Sequence, residues 1–191
     1  MSETHINPYD TENRSKVGEY LDLVEARMLK PLDSEAVQQS CSTTLLLVFA
    51  TVDGLGKLID LDAHAGPGVR FRTFLRFMGA EYEERCEELW KLRKALVHNA
   101  INVESYLSST ELEGWAHLKR IGGSGLMYVN TGLASRNLVE AFGRLKVLLH
   151  TDDVVARRAA DRLEWVEDTQ ESLGEEALPT QPPQVQFVYA R

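Results

Sequence analysis

Apolar positions recur at steps of three and four along most of this chain, and that spacing predicts a succession of helices. In residues 10–29, Val17, Tyr20, Leu21, Val24 and Met28 share one face, and Pro31 ends the segment. Leu32-Asp33-Ser34 reads as a turn, with Ser34 as the N-cap of the next helix. That helix, residues 35–61, is apolar on nearly every side across CSTTLLLVFATV, as a helix at the centre of a bundle would be. Asp53-Gly54 and Gly56 interrupt it. Each glycine lowers helix stability by ~1 kcal/mol, so the pair points to a kink or to the close approach of a neighbour.

AHAGPG, residues 63–68, reads as a loop. In the helix that follows, VRFRTFLRFMG, the residues Phe71, Phe74, Leu75 and Met78 form the apolar face and Arg70, Arg72 and Arg76 project elsewhere. A helix is predicted over residues 81–100. The texture then changes: residues 115–121, the GGSG turn signal and residues 126–130 predict a β-hairpin. Two more helices are expected, over residues 131–149 (Leu133, Leu138, Phe142, Leu145, Leu148, Leu149 inward) and residues 152–173. The proline-rich end, PTQPPQVQFVYAR, reads as a connector with a short apolar, strand-like terminus. The predicted architecture is mainly α: an up-and-down helical bundle with a small β-hairpin insertion. It is one domain over residues 1–176, with a core at about 34–150, the hairpin at about 115–130 and a tail at 177–191.

Composition narrows the picture. The chain has 191 residues, 43% hydrophobic and 26% charged, which suits one globular domain with a sizeable core. The net charge of −8 argues against an extended basic surface wrapping a nucleic acid, yet leaves room for a local basic cleft. Such a bias exists: residues 68–100 hold seven basic and five acidic residues, so this stretch is positive within a negative chain. The surplus acid sits late, with nine acidic and three basic residues in 152–176, an acidic last helix that could meet a protein partner, as could the tail.

Cys41 and Cys86 lie inside helical patterns and form no C-x-x-C pair, so they read as free, core-facing thiols. The polar start MSETHINPYDTENR has no apolar h-region, and the longest apolar run, residues 45–50, is far short of the ~20 residues a membrane span needs. The expectation is a cytosolic protein with no membrane contact. No phosphate-loop or dinucleotide motif occurs, and His5, His64, His117 and His150 lack metal-site spacing, so no cofactor and no metal are expected.

Candidate chemistry gathers on residues 81–100. At about 100° per residue, Tyr82, Cys86, Leu89, Leu96, Val97 and Ala100 fall within roughly 60° of Arg93, with Trp90 on the same edge. Arg93 is thus expected at the centre of a buried stripe. A guanidinium does not deprotonate, so a carboxylate, a helix carbonyl end, a second chain or a bound anion must answer it. His98 follows five residues later, about 140° away, and the two meet only if the helix ends near Val97 or if two chains face each other.

LWKLRKALVHNA resembles the signature of the HEPN superfamily, an arginine, four to six intervening residues and a histidine near the end of a helix in an all-α bundle. The resemblance covers roughly residues 43–149, since VFATVDGLGKL, RFRTFLRFM and the later hairpin and helix also fit. It implies a homodimer whose two motifs form one composite site, and in many members a metal-independent endoribonuclease activity. Carried over, Arg93 would bind the scissile phosphate and His98 would be the general acid or base. Asp53 would hold Arg93, and Asn99 would orient His98 or contact RNA. Lys94 departs from the pattern, because catalytic members often carry Asn, Asp or His directly after the arginine.

Structural readings stand beside these. His98 also suits a helix C-terminus. Arg93 also suits a structural ion pair with Asp53. Arg70, Arg72 and Arg76, interleaved with Phe71, Phe74 and Phe77, suit a nucleic-acid surface or simply a solvated helix face. Two functions follow: a HEPN-like protein acting on RNA in a toxin–antitoxin or defence setting, or a non-catalytic regulatory or antitoxin-like module. A nucleotide or other small anion at Arg93 is a third.

Overall fold

The computed structural model describes the backbone of residues 8–62, 64–99, 105–108, 116–120 and 125–174, and the side chains of 12–62, 64–98, 116–120 and 125–163. The expected tail at 177–191, the tip of the hairpin at 121–124 and the side chains of residues 164–176 lie outside the described residues.

α1 (Pro8–Val24) is continued by a π-helical turn (Glu25–Leu29) and a 3-10 turn (Lys30–Asp33) with Pro31 at its start. The helix expected over 35–61 is two helices, α2 (Glu35–Gln38) and α3 (Cys41–Ile59). Ser34 is not a side-chain cap, because its Oγ donates to the Pro31 carbonyl at 2.8 Å. Ser40 caps α3 instead, accepting from the Thr43 N–H at 3.3 Å. Thr44 Oγ1 then ties the two helices together by donating to the Val37 carbonyl at 2.7 Å.

α3 is the central rod. Leu45, Val52, Leu55 and Leu58 are fully buried, and α4 (Pro67–Met78), α7 (Thr131–Thr151) and α8 (Asp153–Gly174) pack along it. By length and composition alone α3 could cross a membrane, yet here half of that stretch is buried and these helices pack along it. Gly54 and Gly56 do not break it. Gly56 is a contact point: a Cβ there would lie 2.2 Å from the carbonyl oxygen of Arg70, so glycine lets α3 and α4 close together. The face of α4 is as its sequence predicts, with Phe71, Phe74, Leu75 and Met78 buried and Phe71 set edge-on to Phe49.

Gly79, at φ +152°, ends α4 in a conformation open to glycine alone. The helix expected over 81–100 is divided at Arg85 into α5 (Ala80–Glu84) and α6 (Cys86–Asn99). The buried stripe of α6 differs from the expected one. Leu89, Leu92 and Leu96 carry it, Val97 is 52% exposed, and Tyr82 turns toward α7. At 100° per residue the three leucines centre on one side of Arg93, which therefore lies at the flank of the stripe and not at its centre.

β2 (Met127–Asn130) pairs in parallel with β1 (Ser105–Ser108), Ser105 opposite Met127 and Ser108 opposite Asn130. Among the described residues the antiparallel hairpin expected at 115–130 has one bridge, Arg120 to Met127. Its first arm stays tied to β2, the Leu118 N–H donating to the Tyr128 carbonyl and the Tyr128 N–H to the Lys119 carbonyl, both at 2.8 Å, while Leu118 takes φ +58° and His117 is buried. The Asn130 backbone N–H donates to His117 Nδ1 at 3.0 Å, so the ring proton sits on Nε2, 3.0 Å from the Tyr82 hydroxyl. Asn137 Nδ2 donates to that hydroxyl at 2.9 Å and completes a buried link between α5, β2 and α7.

Asn130 also caps α7, its Oδ1 accepting from the Leu133 N–H at 2.9 Å while the residue is 1% exposed. Asn130→Ala is expected to cost about 1–2 kcal/mol, read as a lower midpoint in urea unfolding with an unchanged m-value. An unaltered midpoint would show that the cap is idle.

Candidate functional site

α4 lies antiparallel to α5 and α6, as three contacts show: Gly68 against Trp90 and Arg72 with Glu87 on α6, and Arg76 with Glu83 on α5. Trp90 sits half-buried on this seam, its ring 5.4 Å from that of Phe71. Three cationic groups surround its indole: Arg93 at 5.1 Å from the ring, Lys94 at 5.7 Å and Arg72 at 5.8 Å. Such contacts contribute about 0.5–1 kcal/mol each near a surface. They do not remove the mutual repulsion of the cations, which carboxylates must offset.

Two carboxylates do so. Arg93 donates through Nε at 2.9 Å and Nη2 at 2.6 Å, both to Asp53 Oδ2 on α3. Nη1 takes no part in that pair. The pair is not sealed, with 23% and 22% of the two side chains exposed. Asp53 Oδ1 is buried without a hydrogen-bond partner among the described residues. Burial consequently lifts the Asp53 carboxyl above its usual range, against the pull of Arg93. Arg72 donates to Glu87 Oε2 at 2.9 Å, and this hydrogen bond, with the charges of Arg72, Lys91 and Lys94, holds the Glu87 carboxyl below its usual range. Among the described residues no ion pair fixes Lys94. The cluster thus carries three cations against two carboxylates, with the Arg72 and Arg93 guanidiniums held by those carboxylates.

Gly68 is part of the construction. A Cβ there would lie 3.1 Å from both Trp90 Cζ2 and Arg72 Nη1, so a bare backbone lets the indole and the guanidinium pack against the first turn of α4.

The remaining candidates are elsewhere. His98 is exposed in the last turn of α6, which continues unbroken to Asn99. The early helix end that would have let Arg93 and His98 meet within one chain is therefore absent, and the two point about 140° apart. The side chain of Asn99 lies outside the described residues. Arg70 stands by Lys57 on the other side of α4, where burial and then the charge of Arg70 hold the Lys57 ammonium below its usual range. Arg76 is exposed and pairs with Glu83 at 3.4 Å. Among Asp53, Arg70, Arg72, Arg76, Arg93, Lys94 and His98, the structure gathers Asp53, Arg72, Arg93 and Lys94.

Trp90 and Glu87 complete the cluster, and the sequence carried a signal for them. Residues 87, 90 and 94 stand three and four apart, so they share a helix face with one another. A cavity of about 660 Å³ opens between Leu32, Gln38 and Thr44 and the start of α7, and none of the cluster lines it. Among the described residues no three His, Cys, Asp or Glu side chains gather as metal ligands.

Comparison with protein-family models, curated proteins and solved structures finds no match for this chain.

Proposed function

We propose that this protein binds RNA through the cationic cluster around Trp90, as a HEPN-like protein would through its motif arginine. The observation that carries the reading is the convergence of Arg72, Arg93 and Lys94 on one indole, with Arg72 and Arg93 held by their own carboxylates. A phosphodiester needs charge-assisted donors fixed in space, and guanidiniums already oriented lose little freedom on meeting it. A surface of this kind is local, which suits a chain whose net charge is −8.

Cleavage asks for more. Arg93 would hold the phosphate while an imidazole takes or gives the proton at the 2′-hydroxyl or the leaving oxygen. Because His98 points away from Arg93 in its own chain, that imidazole would have to come from a second copy. The alternative, a regulatory module that binds without cutting, is favoured by the unbroken α6 and by the engagement of Arg93 with Asp53.

Total RNA incubated with the pure protein in EDTA separates the two. Cleavage abolished by both His98→Ala and Arg93→Ala, with circular dichroism unchanged, is the result a composite nuclease gives. Retention of an RNA oligonucleotide without cleavage, lost in Arg93→Ala and untouched in His98→Ala, is the result of the binding module. A protein that neither retains nor cuts RNA overturns both.

A further inference from the structure

Lys57 stands on α3 where α4, α8 and the Tyr20 ring of α1 come against it. Its ammonium lies 5.6 Å from the centre of that ring. Gly56, the residue before it, touches the Arg70 backbone on α4, which makes Lys57 and Arg70 neighbours across the seam. From α8, Arg162 donates to the carbonyls of Lys57 at 3.5 Å, Asp62 at 3.1 Å and Asp60 at 2.8 Å.

No carboxylate answers the ammonium. Among the described residues Lys57 makes no ion pair. Asp53, about one turn earlier on α3, is held by Arg93. Asp60, about one turn later, accepts from the Thr73 hydroxyl at 2.7 Å and from the Asp62 N–H at 2.9 Å. Tyr20 supplies no negative charge, because burial raises its phenol above the ordinary range. Lys57 is nonetheless only half-buried, so a small molecule can reach it.

We propose that Lys57 is a modification site, an amine acylated by small acyl phosphates. A lysine that has lost part of its water and stands beside a second cation gives up its proton readily and becomes a nucleophile. An acyl phosphate suits the place on two counts. Its phosphate is drawn to the Arg70 charge, and its carbonyl carbon is the electrophile an amine needs. The amine nitrogen attacks that carbon, a C–N bond forms, and the C–O bond to phosphate breaks. Phosphate leaves with the bonding pair and takes the surplus proton of the nitrogen, so the products are an amide and inorganic phosphate. The amide is neutral, and the charge that burial and Arg70 both oppose is gone. Neither Lys57 nor Arg70 belongs to the cluster around Trp90, and the proposal does not rest on RNA binding.

Acetyl phosphate incubated with the full chain at neutral pH, followed by proteolysis and mass spectrometry, reads the acetylation of each lysine against time. Lys57 should react roughly threefold faster or more than the exposed Lys30, Lys91 and Lys119. In urea sufficient to unfold the chain that lead should vanish, since burial and the neighbouring cation are both products of the fold. Arg70→Gln, with circular dichroism unchanged, should slow Lys57 by about threefold and leave Lys30 and Lys119 as they were. A further reading needs no variant: as pH is lowered, the Lys57 rate should persist to lower pH than the rates of the exposed lysines. Acetylation of Lys57 no faster than theirs in the folded chain overturns the proposal. So does a lead that survives in urea, a folded Arg70→Gln variant in which Lys57 reacts as before, or rates that fall together with pH.

Discussion

Gly56→Ala is expected to destabilise the fold by about 3 kcal/mol, the upper range for forcing extra volume into a packed interior. The added methyl would lie 2.2 Å from the Arg70 carbonyl oxygen and 2.7 Å from its carbon. Both are backbone atoms of a neighbouring helix, so no rotamer change relieves the overlap. The helices themselves must part, and with them Phe49 and Phe71, whose rings meet at 5.3 Å across the same seam. Chemical denaturation reads the loss as a lower midpoint. Gly54→Ala is the internal control: its Cβ would meet only the Tyr20 hydroxyl at 3.3 Å, the far end of a side chain, and should cost little. Equal stability of the Gly56→Ala variant and the parent would show that α3 and α4 do not meet as described.

The second large effect is on stability against pH. Burial drives the His117 imidazole down to about 4 from an ordinary value of 6.5. Its Nδ1 accepts the Asn130 N–H, so a proton added there would oppose that donor and break the joint between β2 and α7. The sign follows from linkage. Between pH 6.5 and 4 the unfolded chain binds the proton and the folded chain does not, so stability falls as pH falls through that window. The full contribution is on the order of 3 kcal/mol, from about 1.36 kcal/mol per unit. His117→Asn supplies an amide oxygen near the place of Nδ1 and does not titrate. Urea unfolding of the parent should therefore lose stability more steeply over this window than unfolding of the variant. Parallel pH curves would mean that His117 is not the buried, neutral acceptor described.

Much of the helical architecture was legible because burial writes itself into sequence at helical spacing. The inward face of α4 was readable residue by residue, that of α7 at Leu138, Phe142, Leu145 and Leu149 though Leu133 and Leu148 are only half-buried, and the all-round apolarity of residues 41–52 located the central rod. What stayed hidden depended on partners distant in sequence. The break at residues 39–40 is set by the Ser40 cap and by Thr44 reaching the Val37 carbonyl, and periodicity does not register a cap. The division at Arg85 lies within a continuous helical pattern, and Arg93 sits at the flank of the stripe because Leu92 is buried and Val97 exposed. The parallel pairing of β2 joins segments twenty-two residues apart at Ser105 and Met127, whereas the GGSG turn signal speaks only for neighbours. The Arg93–Asp53 pair was among the sequence's own alternatives. The gathering of Arg72 and Lys94 on Trp90 needed α4 and α6 to be laid antiparallel, and Gly68, whose lack of a side chain permits it, reads in sequence as an ordinary loop glycine.

The central claim is that Arg72, Arg93 and Lys94 form a phosphate-binding surface. The salt dependence of affinity for a single-stranded RNA oligonucleotide tests it most directly, comparing the parent with an Arg72→Gln, Lys94→Gln double variant. Each phosphate contact on a single strand contributes roughly 0.7 to the slope of log K against log salt concentration. The double variant should bind more weakly at low salt, with a slope shallower by about 1.4. Identical slopes and affinities for the two proteins would contradict the account.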